Sequence, residues 1–136
     1  MRYTVVVTCA VALNCGVALA QQQPPPDRVF NLHSRADGQC PPMDWHIGVD
    51  DEAHTLNGII AWGPNMATIA RTAGSFNPTN RTFAMRAQEV GGQNHVAEIT
   101  GQVREDGWLV AKVEGPGISC NDITIPWSRP NSGQNR

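Results

Sequence analysis

The sequence predicts an all-β domain, a small antiparallel up-and-down barrel or meander of about seven strands, with a two-sheet β-sandwich as the alternative. Three observations predict it. Apolar and polar residues alternate over short runs through the middle of the chain, clusters of turn-forming residues separate those runs, and helical periodicity is hard to find.

The first element is not part of that fold. Arg2 and the apolar run "VVVTCAVALNCGVALA", ending in Ala18-Leu19-Ala20, read as a signal peptide over 1–20 cleaved after Ala20. The run is too short to span a membrane and is followed at once by polar residues. The protein is therefore expected to be secreted or periplasmic. Lipidation at Cys15 is the lesser alternative, because Asn14 is a poor neighbour for it. Next, 21–36 is a Gln- and Pro-rich stretch, "QQQPPPDR" onward, expected to form a solvated linker containing His33. A single domain is expected over 37–128, and 129–136, "RPNSGQNR", has no apolar residue and is expected to be a disordered tail.

Within the domain, Trp45, Ile47 and Val49 alternate with His46, Gly48 and Asp50; Phe83, Met85 and Ala87 with Thr82, Ala84, Arg86 and Gln88; and Ala97, Ile99, Gly101 and Val103 with Glu98, Thr100 and Gln102. Leu109, Ala111 and Val113 follow, and Ile123, Ile125 and Trp127 complete the series, with weaker strands over 55–62 and 66–73. "WGPN", "FNPTN", "GGQN", "EDG" and "EGPG" mark the turns between them. The 96–114 hairpin can be registered. A three-residue turn, Glu105-Asp106-Gly107, sets Val103 opposite Leu109 and Ile99 opposite Val113, whereas a two-residue turn would mix the faces. Arg104 then meets Trp108, a candidate cation–π pair, and Glu98 meets Glu114. Small inward residues (Gly58, Ala87, Ala97, Gly101, Ala111) suit a tightly curled sheet and argue against a roomy interior.

Loss of Arg2 with the leader leaves nine basic and twelve acidic side chains, a net charge of −3 with His neutral. The arginines are scattered, so no basic stripe exists for nucleic acid. Cys40 and Cys120 remain, and in an exported chain they are expected to pair. Closing a loop of about 80 residues corresponds to roughly 4–5 kcal/mol on chain-entropy reasoning.

The residues that look most like chemistry are in "MDWHIGVDDEAH", 43–54. A calcium loop beginning at Asp50 or Asp51 lacks the required Gly and Glu positions. Zinc ligation by His46, Asp50 and His54 fails on distance, since four strand residues separate His46 from Asp50 by roughly 13 Å. Asp51 and His54 are the remaining weak metal candidates, as neighbours across a turn. His95 sits after "GGQN" and reads as a solvated turn residue. No serine stands in G-x-S-x-G or S-x-x-K, and Glu89, Glu98 and Glu114 lie on or beside solvent-facing strand positions. The expectation is no catalysis, no cofactor and no metal. Trp108, on an outward face, Trp62, before a Gly-Pro turn, and Arg104 are the candidate contacts for a partner or ligand.

Trp45, Leu56-Gly58-Ile60, Ile99-Gly101-Val103, Asp106-Gly107, Leu109 and Cys120 together form a pattern. Over about 40–127 it resembles that of small exported bacterial all-β proteins of uncharacterised function. The resemblance implies the fold and carries no active site. The function expected is a non-enzymatic binding or structural module whose partner is a protein or a small ligand. The alternatives are a periplasmic hydrolase (protease or lysozyme) inhibitor acting through loops 77–80 or 105–107, and a carrier of a small apolar ligand.

Overall fold

The computed structural model describes residues 26–126. The expected leader, the first residues of the linker, Trp127 and the C-terminal tail lie outside the described residues. Eight strands run in chain order: β1 (Arg28–Ser34), β2 (Met43–Asp50), β3 (Thr55–Trp62), β4 (Thr68–Asn77), β5 (Thr82–Glu89), β6 (Val96–Val103), β7 (Trp108–Gly115) and β8 (Ile118–Pro126). Each pairs antiparallel with the next, so they make one sheet in the order β1 to β8, curled into a half-barrel. A single short 3₁₀ turn, Pro64–Met66, joins β3 to β4.

The strand count exceeds the expected seven by one, and β1 is the difference. Residues 28–34 fall in the stretch expected as linker, yet Phe30, Leu32 and Ser34 alternate inward with Val29, Asn31 and His33 outward. Pairing with β2 matches Phe30 to Ile47 and Leu32 to Trp45, which adds two apolar side chains to a core that β2 already lines. The alternation was in the sequence but was overshadowed by the Pro-rich residues just before it.

One face of every strand contributes to a single cluster that includes Phe30, Met43, Trp45, Ile60, Ile99 and Ile125. The 96–114 hairpin has the predicted register, with Val103 opposite Leu109, Gly101 opposite Ala111 and Ile99 opposite Val113. Glu98 and Glu114 do face each other. Each has a cation: Arg86 Nε lies 3.1 Å from Glu98, and Lys112 Nζ lies 2.8 Å from Glu114. The expected Arg104–Trp108 stacking is replaced by an ion pair, with Arg104 2.5 Å from Asp106.

Two backbone features set the curvature. A Cβ on Gly58 would lie 2.0 Å from the carbonyl oxygen of His46, so β2 and β3 approach as only glycine allows. In β8 the register slips between the pairs Ala111–Ile123 and Val113–Cys120. This one-residue bulge contains Asp122 at φ 53°, a conformation Asp tolerates better than most residues. Ile118 and Cys120 point inward below it and Ile123 and Ile125 above it, so the bulge resets the inward phase.

The bulge places Cys120 inward, where it bonds Cys40 in the β1–β2 loop with the two Cα atoms 5.2 Å apart. Loss of both cysteines (C40A/C120A) is expected to lower stability by about 2–5 kcal/mol, read as a fall in the urea midpoint. Gly58→Ala is expected to cost about 1–3 kcal/mol in the same assay through overpacking against the β2 backbone.

Candidate ligand-binding cleft

Strand direction sorts the connections into two ends. The β1–β2 loop with Cys40 lies at one end. The β2–β3, β4–β5 and β6–β7 turns lie at the other, together with Arg28 at the start of β1. At this second end the last inward positions are Val49, Leu56, Phe76, Phe83, Val103 and Leu109. They surround a cleft of about 410 Å³ that reaches down to Trp45, Ile47 and Met85. Its size is within the range of small-molecule sites, and its wall is mainly apolar as theirs are.

The cleft corrects the expectation of a tight interior. Buried Ala70, Ala87 and Ala97 lie towards the disulfide end, whereas the inward positions at the turn end carry large side chains around the cleft. The Phe83 ring takes the place that a side chain on Gly101 would fill, since a Cβ there would lie 2.4 Å from its Cζ. The small residues are therefore gathered away from the turn end, where the larger side chains leave the cleft between them.

Trp45 forms the floor and is held in place. Its indole Nε1–H donates to Ser34 Oγ at 3.1 Å, and both side chains are buried. Ser34 Oγ in turn lies 3.5 Å from the Met43 carbonyl. A buried indole N–H needs such a partner.

The rim is polar and its turns are internally bonded. Asn77 Oδ1 accepts from the backbone N–H groups of Thr79 (2.9 Å) and Asn80 (3.4 Å), an Asx turn. Arg81 closes that turn at φ 59°, and its carbonyl accepts from Val103 N–H at 2.9 Å, tying the β4–β5 turn to the end of β6. Arg28 is an inward position of β1. Its guanidinium lies 5.6 Å from the centroid of the Phe30 ring and pairs with Asp51. Its Nε is buried and has no hydrogen-bond partner. Arg28, Arg81, Arg104 and Glu105 are the charged residues lining the cleft.

The residues singled out from sequence are not brought together. Arg104 lines the cleft. Trp108 is about two-fifths exposed and lines a crevice of about 630 Å³ along the seam between β1 and β8, with His33, Asp37, Cys40 and Asp122. Trp62, half-buried, lines a smaller hollow at the disulfide end beside Glu89 and His95, whose side chains lie 3.6 Å apart. Asp51 is engaged by Arg28, while the His54 ring packs edge-on against Phe76 at 5.3 Å, so these two form no common site. Among the described residues no group of three or more His, Cys, Asp or Glu side chains is placed to hold a metal ion. Sequence reasoning missed Arg28, Phe76 and Arg81. Arg28 was hidden by the linker assignment, and the other two lie at strand–turn junctions, where alternation gives little information.

No protein-family model, no curated protein and no solved structure matches the chain. The geometry of the cleft therefore stands without a relative beside it.

Ser34→Ala would leave the Trp45 indole N–H unpaired in the core. A loss of about 1–3 kcal/mol in urea unfolding is expected, with a red shift in tryptophan emission as the cleft floor loosens.

Proposed function

We propose that the protein is a non-enzymatic, exported binding module that holds a small apolar ligand in the cleft between the β2–β3, β4–β5 and β6–β7 turns. The observation that carries this reading is the cleft itself, about 410 Å³ of largely apolar space floored by Trp45 and open at one end of the sheet. Exposed apolar area in a soluble domain is costly unless something covers it, and a concave apolar surface ringed by a few polar groups is the common form of a ligand site. The Cys40–Cys120 bond is compatible with an extracellular location, and among the described residues no helix is long and apolar enough to cross a membrane.

Asn77, Pro78, Glu105 and Gly107, from the loops considered above as inhibitory elements, belong to the cleft wall. In this reading they shape the entrance. At roughly 30 Å³ for each water-sized group, the cleft has room for about a dozen such groups, the scale of one medium-length acyl chain or a small ring system.

The test is titration with N-phenyl-1-naphthylamine, a neutral apolar fluorophore. A saturable rise in emission with a single site is expected. Val103→Asp, which puts a charge on a half-buried wall position, is expected to weaken uptake at least tenfold, about 1.4 kcal/mol. Trp108→Ala, on the outer seam, is expected to leave uptake unchanged. Absence of saturable uptake by the folded wild-type protein would overturn the reading.

A further inference from the structure

We propose that the cleft selects ligands with an anionic head group, specifically a carboxylate on an apolar chain, and that Arg81 anchors that head. The inference rests on the apolar-ligand reading above and adds to it the charge of the ligand. Among the described residues, three of the four charged side chains lining the cleft are arginines, in a chain whose formal net charge is −2.

The three arginines are not equivalent. Arg28 is paired with Asp51 and Arg104 with Asp106. Arg81 has no carboxylate partner among the described residues, although its backbone is fixed by the bond from Val103 N–H to its carbonyl. It also adopts φ 59°, a left-handed conformation in which glycine or asparagine is the usual occupant. Five other non-glycine residues among those described share this conformation, so the backbone angle fixes where Arg81 sits on the rim and the case for anchoring rests on its free guanidinium. Arg28 adds an unused donor, since its buried Nε–H has no acceptor. A carboxylate can take two N–H donors at once from a guanidinium, which is why arginine is the usual partner of such a head.

Opposing charges at this end are mostly committed. Besides the two paired aspartates, Asp27 accepts from Asp51 N–H at 2.9 Å and Asp50 from Ala53 N–H at 2.8 Å. Glu52 lies in the β2–β3 turn, outside the cleft lining, and Glu105 is the one carboxylate in that lining. Glu105 sits on an exposed turn. Arg81 is exposed on its own turn as Glu105 is, so solvent screens both alike, and the arginines oppose this carboxylate by number, three to one among the described residues.

The experiment compares dodecanoate, dodecanol and dodecyltrimethylammonium as competitors of the naphthylamine probe on the full-length protein at low salt. Dodecanoate is expected to compete about tenfold more strongly than dodecanol, and dodecyltrimethylammonium more weakly than either. Arg81→Gln should bring dodecanoate competition down to the level of dodecanol in the same variant, and Glu105→Gln should increase the carboxylate preference. Arg81→Gly is expected to keep the unfolding midpoint at or above that of the wild type while losing the same preference, which separates anchoring from folding. Equal competition by dodecanoate and dodecanol would overturn the inference and leave the apolar reading intact. Stronger competition by dodecyltrimethylammonium would overturn it in favour of Glu105. Failure of all three, with no probe uptake, would remove both.

Discussion

The Cys40–Cys120 bond is the constraint on which the rest of the sheet depends. An eight-stranded meander has two edges, and here β1 and β8 come near each other without a hydrogen-bonded ladder between them. A closed barrel removes its edges by pairing them; this sheet joins them through one covalent link from the β1–β2 loop to the inward face of β8. Without that link β1 keeps its ladder to β2 and the packing of Phe30 and Leu32 in the common core, but no covalent tie to the other edge. Sulfur chemistry here substitutes for a missing row of backbone hydrogen bonds, a common solution in small exported domains with limited cores.

Placement of that bond at one end has a consequence at the other. Near Cys40 the β1–β2 loop is clamped to β8, and alanines occupy buried positions at that end. At the far end the strands are joined only by short turns, and the wall residues do not fill the space between them. The β8 bulge serves the same arrangement. By inserting one residue at Asn121-Asp122, it directs Cys120 inward near the bottom of the strand and Ile123 and Ile125 inward above it. Clamp and cleft thus lie at opposite ends of the same sheet.

Most of the fold was legible because alternation with period two is a direct record of which face is buried. The disulfide, the register of the 96–114 hairpin and the inward sets on β2, β5, β6 and β7 all follow from that rule and from cysteine usage. The phase switch of β8 was also written in the chain, as Ile118 and Cys120 at even positions against Ile123 and Ile125 at odd ones with two polar residues between. β1 was lost because three prolines and three glutamines dominate the composition of its neighbourhood. The cleft was illegible for a different reason. Alternation reports whether a residue faces inward and says nothing about whether inward residues from distant strands meet. Gly58, Gly101 and the alanines implied a filled interior only on the assumption that the sheet has uniform width.

An apolar wall is a poor discriminator. One methylene more or less in such a pocket changes affinity by about 1–3 kcal/mol, and a pocket of this kind admits many chains of similar bulk. Selectivity must therefore come from the few polar groups at its entrance. The β1–β2 pairing places Arg28 at an inward strand position, above the Phe30 ring, while the β4–β5 turn places Arg81 at a backbone angle that ordinary side chains avoid. Both placements run against local preference, one by putting a charge towards the core and the other by bending the chain at a residue without glycine's freedom. The two fall on the same rim of the cleft. In the reading proposed above, the wall would set what size of ligand fits, and the rim which of those ligands is held.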